Sequence, residues 1–141
     1  MICVSIPALN SLDEFMEIAV KYPFIEIRLD LNPFLLDKLE ELSKIKNQKI
    51  YTFRPQGYTE EYRWSIFKKI IDFEQDYIDI EIETPELAKK RVIEYSKNKK
   101  TKIIISYHNY QETPTREKLS EMIFQGFREG GDIVKIAAFV N

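Results

Sequence analysis

Tyr77-Ile78-Asp79-Ile80-Glu81-Ile82-Glu83 alternates isoleucine with carboxylate along its length. Successive side chains of a strand point to opposite faces, so Ile78, Ile80 and Ile82 share one face and Asp79, Glu81 and Glu83 the other. Other runs divide in the same way. In Phe24–Leu31, Ile25, Ile27 and Leu29 oppose Glu26, Arg28 and Asp30. At the end of Lys49–Phe53, Thr52 and Arg54 fall together, and at the end of Lys102–Tyr107 so do Ser106 and His108. Two more β-branched runs, Met1–Ile6 and Asp132–Phe139, bring the expected strands to six.

Between these runs the apolar spacing is helical. Leu12, Phe15, Met16 and Ala19 predict a first helix, capped by Asn10 or Ser11. Leu35, Leu36, Leu39, Leu42 and Ile45 predict a second with Pro33 near its first turn, and Tyr62, Ile66, Phe67, Ile70 and Ile71 a third. Leu87, Ala88, Val92 and Tyr95 predict a fourth, entered through Thr84 and Pro85. Leu119, Met122, Ile123 and Phe127 predict a fifth, entered through Thr113 and Pro114 and stopped by Gly130-Gly131.

Strict strand–helix alternation implies a parallel sheet with right-handed crossovers. An open doubly wound sheet covers both faces of its central strands, which then read as continuously apolar. Here one face is charged, and most strongly towards the strands' C-terminal ends. That pattern predicts an α/β fold of the (β/α)8 TIM-barrel type, with apolar faces towards the helices and polar groups at the mouth. About six strands and five helices are present, and residues 1–141 read as one domain.

Composition narrows the function. The 141 residues are 44% hydrophobic and 31% charged, which predicts a soluble globular chain. A net charge of -2 gives no argument for nucleic acid or an anionic membrane as partner. The cluster Lys97, Lys99, Lys100 and Lys102 reads as a solvated helix end. Cys3 is the only cysteine, which excludes an intramolecular disulfide and a multi-cysteine zinc site, and it reads as core. No stretch approaches the ~20 apolar residues of a membrane span. The N-terminus lacks a signal-peptide pattern, so a cytoplasmic location is expected. There is no glycine-rich phosphate loop.

At a barrel mouth, strand-end groups converge. In chain order these are Ser5, Glu26 with Arg28, Arg54, Glu81, His108 and Lys135. A lone strand-end histidine is more often structural than catalytic, and a strand-end arginine or glutamate is usually half of an ion pair. Lys135, inside Ile133-Val134-Lys135-Ile136-Ala137-Ala138-Phe139, is the least ordinary, although Glu81 or Glu26 offers it a pairing partner. The sole histidine and this lysine lie on successive strands, the minimum equipment for imine chemistry. A free lysine with a pKa near 10.4 is neutral about four times in ten thousand at pH 7, and lowering it to about 8 raises that to roughly a tenth. Arg28, Arg54 and His108 favour such a shift and Glu26 and Glu81 oppose it.

Val4–Ile6, Glu26–Asp30 (EIRLD), Thr52–Arg54 (TFR), Tyr77–Glu83, Ser106–Pro114 (SYHNYQETP) and Asp132–Ala137 (DIVKIA) together resemble the type I 3-dehydroquinate dehydratases, Schiff-base lyases of the shikimate pathway of aromatic amino acid biosynthesis. The segments keep the family's order over the whole chain. The resemblance implies that Lys135 forms an imine with 3-dehydroquinate and that His108 is the general acid and base. It implies substrate contacts from Glu26, Arg28 and Arg54, less defined roles for Ser5 and Glu81, and no metal or organic cofactor.

Two departures accompany the resemblance. The family places a glutamate, partner to the catalytic histidine, soon after TFR; here Pro55–Glu61 carries Tyr58 at that place, with Glu60 or Glu61 as substitutes after a loop shift. A complete barrel has eight strands and typically about 250 residues. The counterparts of strands seven and eight, with a substrate-gripping arginine and a lid loop, are not expected within 141 residues. A fragment of a longer dehydratase, a homodimer that covers the open strand edges, and a degenerate non-catalytic relative all remain open. A different lysine-imine enzyme such as an aldolase is disfavoured by EIRLD and SYHNY.

Overall fold

The computed structural model describes residues 1–140. Strands and helices alternate as β1 (Val4–Ser5), α1 (Leu12–Ala19), β2 (Phe24–Arg28), α2 (Leu39–Ser43), β3 (Gln48–Thr52), α3 (Glu60–Asp72), β4 (Tyr77–Glu81), α4 (Glu86–Ser96), β5 (Lys102–Asn109), α5 (Arg116–Arg128) and β6 (Ile133–Ala138). The strands form one sheet in the order β1-β2-β3-β4-β5-β6, and every pairing is parallel. A doubly wound sheet reverses its strand order at a switch point. Sequential order throughout is the winding of a TIM-type barrel, and these residues form a six-stranded arc of one.

The register follows from the alternating pattern. Ser5 lies opposite Glu26, Arg28 opposite Thr52, Thr52 opposite Asp79, Glu81 opposite Ser106, and Ser106 opposite Lys135. These polar side chains share the face turned from the helices. On the other face Ile25, Ile27, Ile78, Ile80, Ile103 and Ile105 pack in one core with Phe15, Leu42, Phe67, Ile70 and Val92. Burying an isoleucine contributes about 1.5–3 kcal/mol. A one-residue slip of β4 would exchange its isoleucines for Asp79 and Glu81, so the register is firmly set.

Local capping sets the helix starts. Ser11, Thr59 and Thr115 each accept a hydrogen bond from the backbone N–H three residues on. The fifth helix therefore begins after Thr115, two residues beyond the expected Thr113. Gly130, at φ +105°, ends the turn after it.

The second helix differs from the continuous one expected. A 3-10 turn at Pro33–Leu35 is followed by the five-residue α2. Asn32, the residue placed to cap this segment, makes no capping bond. Its buried amide instead joins the Pro7 and Arg28 carbonyls and the Leu9 N–H, tying the loops after β1 and β2 together. The first strand is also shorter than expected, with Met1 and Ile2 exposed.

Helix α5 lies very close to β6. A Cβ at Gly126 would stand 2.5 Å from Val134 Cγ2, and the branched valine has little freedom to withdraw. Gly126→Ala is expected to lower stability by about 1–3 kcal/mol through overpacking, outweighing the gain of up to about 1 kcal/mol in helix propensity. Urea unfolding checks this, and a stabilised variant contradicts the close fit. Among the described residues no helix is long and apolar enough to cross a membrane.

Candidate active site

The sheet's polar face carries one connected network. Glu26 on β2 accepts hydrogen bonds from Ser5 Oγ and Thr52 Oγ1, both at 2.7 Å. Its Oε2 lies 3.9 Å from Lys135 Nζ. The same ammonium lies 3.5 Å from Asp79 Oδ2 on β4. Asp79 is fully buried and also accepts from Ser106 Oγ at 2.6 Å and Arg54 Nη1 at 3.1 Å. Arg54 reaches Glu81 Oε2 at 2.6 Å and His108 Nε2 at 3.4 Å. A chain of polar contacts thus runs from Ser5 on the first strand to Lys135 on the sixth.

Of the residues expected at the mouth, Ser5, Glu26, Arg54, Glu81, His108 and Lys135 belong to this network. Arg28 is held apart by a fork to Asp30, at 3.1 and 2.8 Å. Arg28, Arg54, Glu81 and His108 nevertheless line a common open cleft of about 580 Å³, with Asp30 and Tyr110 on its rim. A hollow of about 640 Å³ between α1 and the α2–β3 loop is larger, but its wall of Met16, Val20, Ile45 and lysines holds no comparable polar network. Among the described residues no group of three or more His, Cys, Asp or Glu side chains is placed to hold a metal ion.

Lys135 pairs with Glu26 and Asp79, and only the first of these was an expected partner. Its side chain is 40% exposed, unlike the desolvated amine its apolar neighbours predict. Among the described residues strand β6 is at the edge of the sheet and pairs only with β5. An apolar run on an edge strand does not guarantee burial.

A guanidinium only donates, so its contact with His108 requires a lone pair on Nε2 and the ring proton on Nδ1. Burial pushes the His108 pKa below its ordinary range; Arg54 and Lys135 push the same way, against Asp79 and Glu26. The unfolded chain therefore binds more protons than the folded one as acid is added. The resulting stability is complete above the ordinary value of 6.5 and is lost as pH falls through the lowered folded value. NMR titration of this imidazole is expected to give a midpoint below 6.5; a midpoint above it would exclude the neutral, Arg54-bound ring. Burial pushes the Glu26 carboxyl up, but the Ser5 and Thr52 hydroxyls with the Lys135 and Arg28 charges outweigh it and hold the group below its usual value.

No carboxylate takes the place of the missing histidine partner. Glu60 bonds to Arg63 and Glu61 to Arg91, both away from His108. Tyr58 stacks on Tyr62 and meets the edge of Phe53. The residues that sequence reasoning passed over are Asp79, Thr52 and Arg63. Asp79 had been placed on the charged face of its strand without a role. Arg63 occupies the same helical stripe as Ile66, Phe67 and Ile70, where an arginine needs a buried partner.

A sequence model described as type I 3-dehydroquinase matches residues 1–141. The chain belongs to the type I 3-dehydroquinase family. The 3-dehydroquinate dehydratase of Methanocaldococcus jannaschii is 34% identical, over all of this chain and 67% of its own length. That of Methanococcus maripaludis strain C7 is 32% identical, over all of this chain and 68% of its own. Among solved structures, the type I 3-dehydroquinate dehydratase of Clostridium difficile superposes with a TM-score of 0.85 at 22% identity, over 96% of this chain and 61% of that one. The Aquifex aeolicus 3-dehydroquinate dehydratase gives 0.79 at 27%, over 99% and 66%. The chain thus spans about two thirds of the length of these relatives, and its arc of strands is a portion of their fold.

Proposed function

We propose that this chain carries the reacting face of a 3-dehydroquinate dehydratase, which removes water from 3-dehydroquinate to give 3-dehydroshikimate in the shikimate pathway. The observation that carries this reading is the pairing of Lys135 and His108 on adjacent strands of one polar face. Ser106 lies opposite Lys135, and His108 follows two residues later, on the same side.

The Lys135 ammonium gives one proton to neutral His108 and adds as the amine to the substrate ketone carbon; the proton it sheds on addition passes through Asp79, its nearest carboxylate, to the ketone oxygen, which becomes a hydroxyl. The His108 imidazolium formed in the first transfer returns its proton to the departing hydroxyl, so water leaves and a C=N⁺ bond forms. The iminium draws electrons from the adjacent carbon, and neutral His108 removes a proton there, leaving an enamine. The enamine electrons expel the hydroxyl on the next carbon, which leaves as water with the proton from His108. Water then adds to the imine, restoring the ketone and the lysine. Arg28 and Arg54 hold the anionic part of the substrate. Ser5 orients Glu26, and Glu81 orients Arg54. The same reading places the chain in the cytoplasm as a homodimer.

Borohydride reduction in the presence of 3-dehydroquinate, followed by intact mass and peptide mapping, tests the imine. A single adduct on Lys135 is expected; an unmodified chain sinks retained chemistry. That His108 meets Arg54 and no carboxylate favours a second function, a relative that binds and traps the ligand without completing turnover. It yields the adduct but no 3-dehydroshikimate.

A further inference from the structure

Arg63 is the largest fully buried side chain of the fold, and every face of its guanidinium is used. Nε donates to the Phe53 carbonyl at 2.9 Å. Nη1 reaches both oxygens of Glu60, at 3.0 and 3.1 Å. Nη2 donates to Glu81 Oε1 at 2.7 Å, while the other oxygen of that carboxylate holds Arg54 at 2.6 Å. Phe53 immediately precedes Arg54. One side chain of α3 therefore fixes both the peptide that delivers Arg54 to the cleft and the carboxylate that aims it.

We propose that Arg63 is a positioning residue for the reaction: shared through Glu81, it sets where the guanidinium of Arg54 stands relative to substrate and His108. This inference rests on the dehydratase reading for its substrate, and on the network alone for the histidine. Without Arg63, Glu81 Oε1 would keep only the long hydrogen bond from the Thr84 hydroxyl, at 3.3 Å, and both oxygens would turn towards Arg54. A bidentate carboxylate fork would then compete with the contact to His108 and with any substrate anion. The cleft would also lose a cation while keeping Asp79 and Glu81. Lysine retains the charge but presents a single nitrogen, which cannot span Phe53, Glu60 and Glu81 together.

Arg63→Lys is expected to raise the dissociation constant for 3-dehydroquinate about tenfold, an effect of the size charge-assisted hydrogen bonds carry. Where turnover is measurable, KM rises by the same factor and kcat changes less than threefold. In a Glu81→Gln background the same change adds nothing, since its route to Arg54 is already cut. Equal weakening in both backgrounds, or none in either, overturns the proposal.

The single histidine gives a readout independent of substrate. His108 is faced by Arg54 from the loop after β3, Asp79 from β4, Glu26 from β2 and Lys135 from β6, and Tyr110 stacks on its ring. Withdrawing Arg54 from the ring raises its NMR titration midpoint in Arg63→Lys, whereas a merely structural arginine leaves it unchanged. Should Arg63→Lys fail to fold, Glu60→Gln loosens the same fork from its exposed end. It is expected to weaken binding at least twofold and to shift the midpoint in the same direction; no change in either overturns the proposal. If the wild-type chain does not bind 3-dehydroquinate, the dehydratase reading fails, and the histidine titration alone decides the role of Arg63.

Discussion

Lys135→Met is expected to abolish the borohydride adduct and, where turnover is measurable, to lower kcat by about four orders of magnitude or more, because on the proposed reading the imine-forming nucleophile has no substitute in the site. The other strand lysines, Lys49 and Lys102, lie at the opposite ends of β3 and β5, and Lys49 is on the helix-facing side with its ammonium on the Ile45 carbonyl. The variant stays folded. Lys135 is 40% exposed, so its pairs with Glu26 and Asp79 are screened by solvent. Their loss costs on the order of 1 kcal/mol or less. Methionine keeps the apolar stem that lies along β6. Mass spectrometry after reduction and a turnover assay check the first part, and a denaturant curve the second. An adduct of unchanged mass in Lys135→Met places the imine on another amine and removes the basis of the mechanism.

Asp79→Ala is expected to be the most destabilising single change at the site, by about 3 kcal/mol. Three donors converge on this fully buried carboxylate: Ser106, Arg54 and Lys135. Its removal leaves the Ser106 hydroxyl and one side of Arg54 without an acceptor in a region that excludes water. The figure sits at the low end for a buried charge because both cations keep a second carboxylate, Glu81 for Arg54 and Glu26 for Lys135. For a chain of this size the melting temperature falls by about 10 °C. Asp79→Asn keeps one acceptor oxygen and loses less. A loss under 1 kcal/mol in the alanine variant means that the network does not depend on its most buried member.

The fold was legible because each strand declares its two faces. Ile78 and Ile80 against Asp79 and Glu81 fix both the core side and the barrel type, and the sequential sheet order agrees. Alternation does not report who sits beside whom. Lys135 reads as buried from its apolar neighbours, yet the exposure of β6 depends on the absence of a further hydrogen-bonded strand among the described residues. Leu35 to Ile45 reads as one helix by spacing, but Asn32 is drawn into contacts with two other loops, and no propensity argument anticipates that.

The site divides in the same way. The strand-end residues were placed by period, and all of them but Arg28 meet in the network on one face of the sheet. Asp79 lies one turn of the pleat deeper than Glu81, where a carboxylate is normally too costly unless cations reach it. The cations come from the loop after β3 and from β6, far apart in the chain, so its importance emerges only from the assembled sheet. Arg63 did leave a trace, a charge within an apolar helical stripe. Its partners lie on two other elements, and spacing alone could not supply them.

The fork between Arg28 and Asp30 bears on how the cleft discriminates among ligands. Arg28 is no vacant receptor: its guanidinium already holds an internal carboxylate two residues away. The fork takes Nε and Nη2, so an incoming carboxylate meets the Nη1 side of a guanidinium whose charge Asp30 already offsets, and the free energy released is smaller than at an unpaired arginine. Inorganic anions that make no further contact in the cleft gain little from so offset a charge, so they compete weakly. Ionic strength screens the resident and the arriving contact alike, which makes occupancy far less sensitive to salt than an open pair of arginines would be.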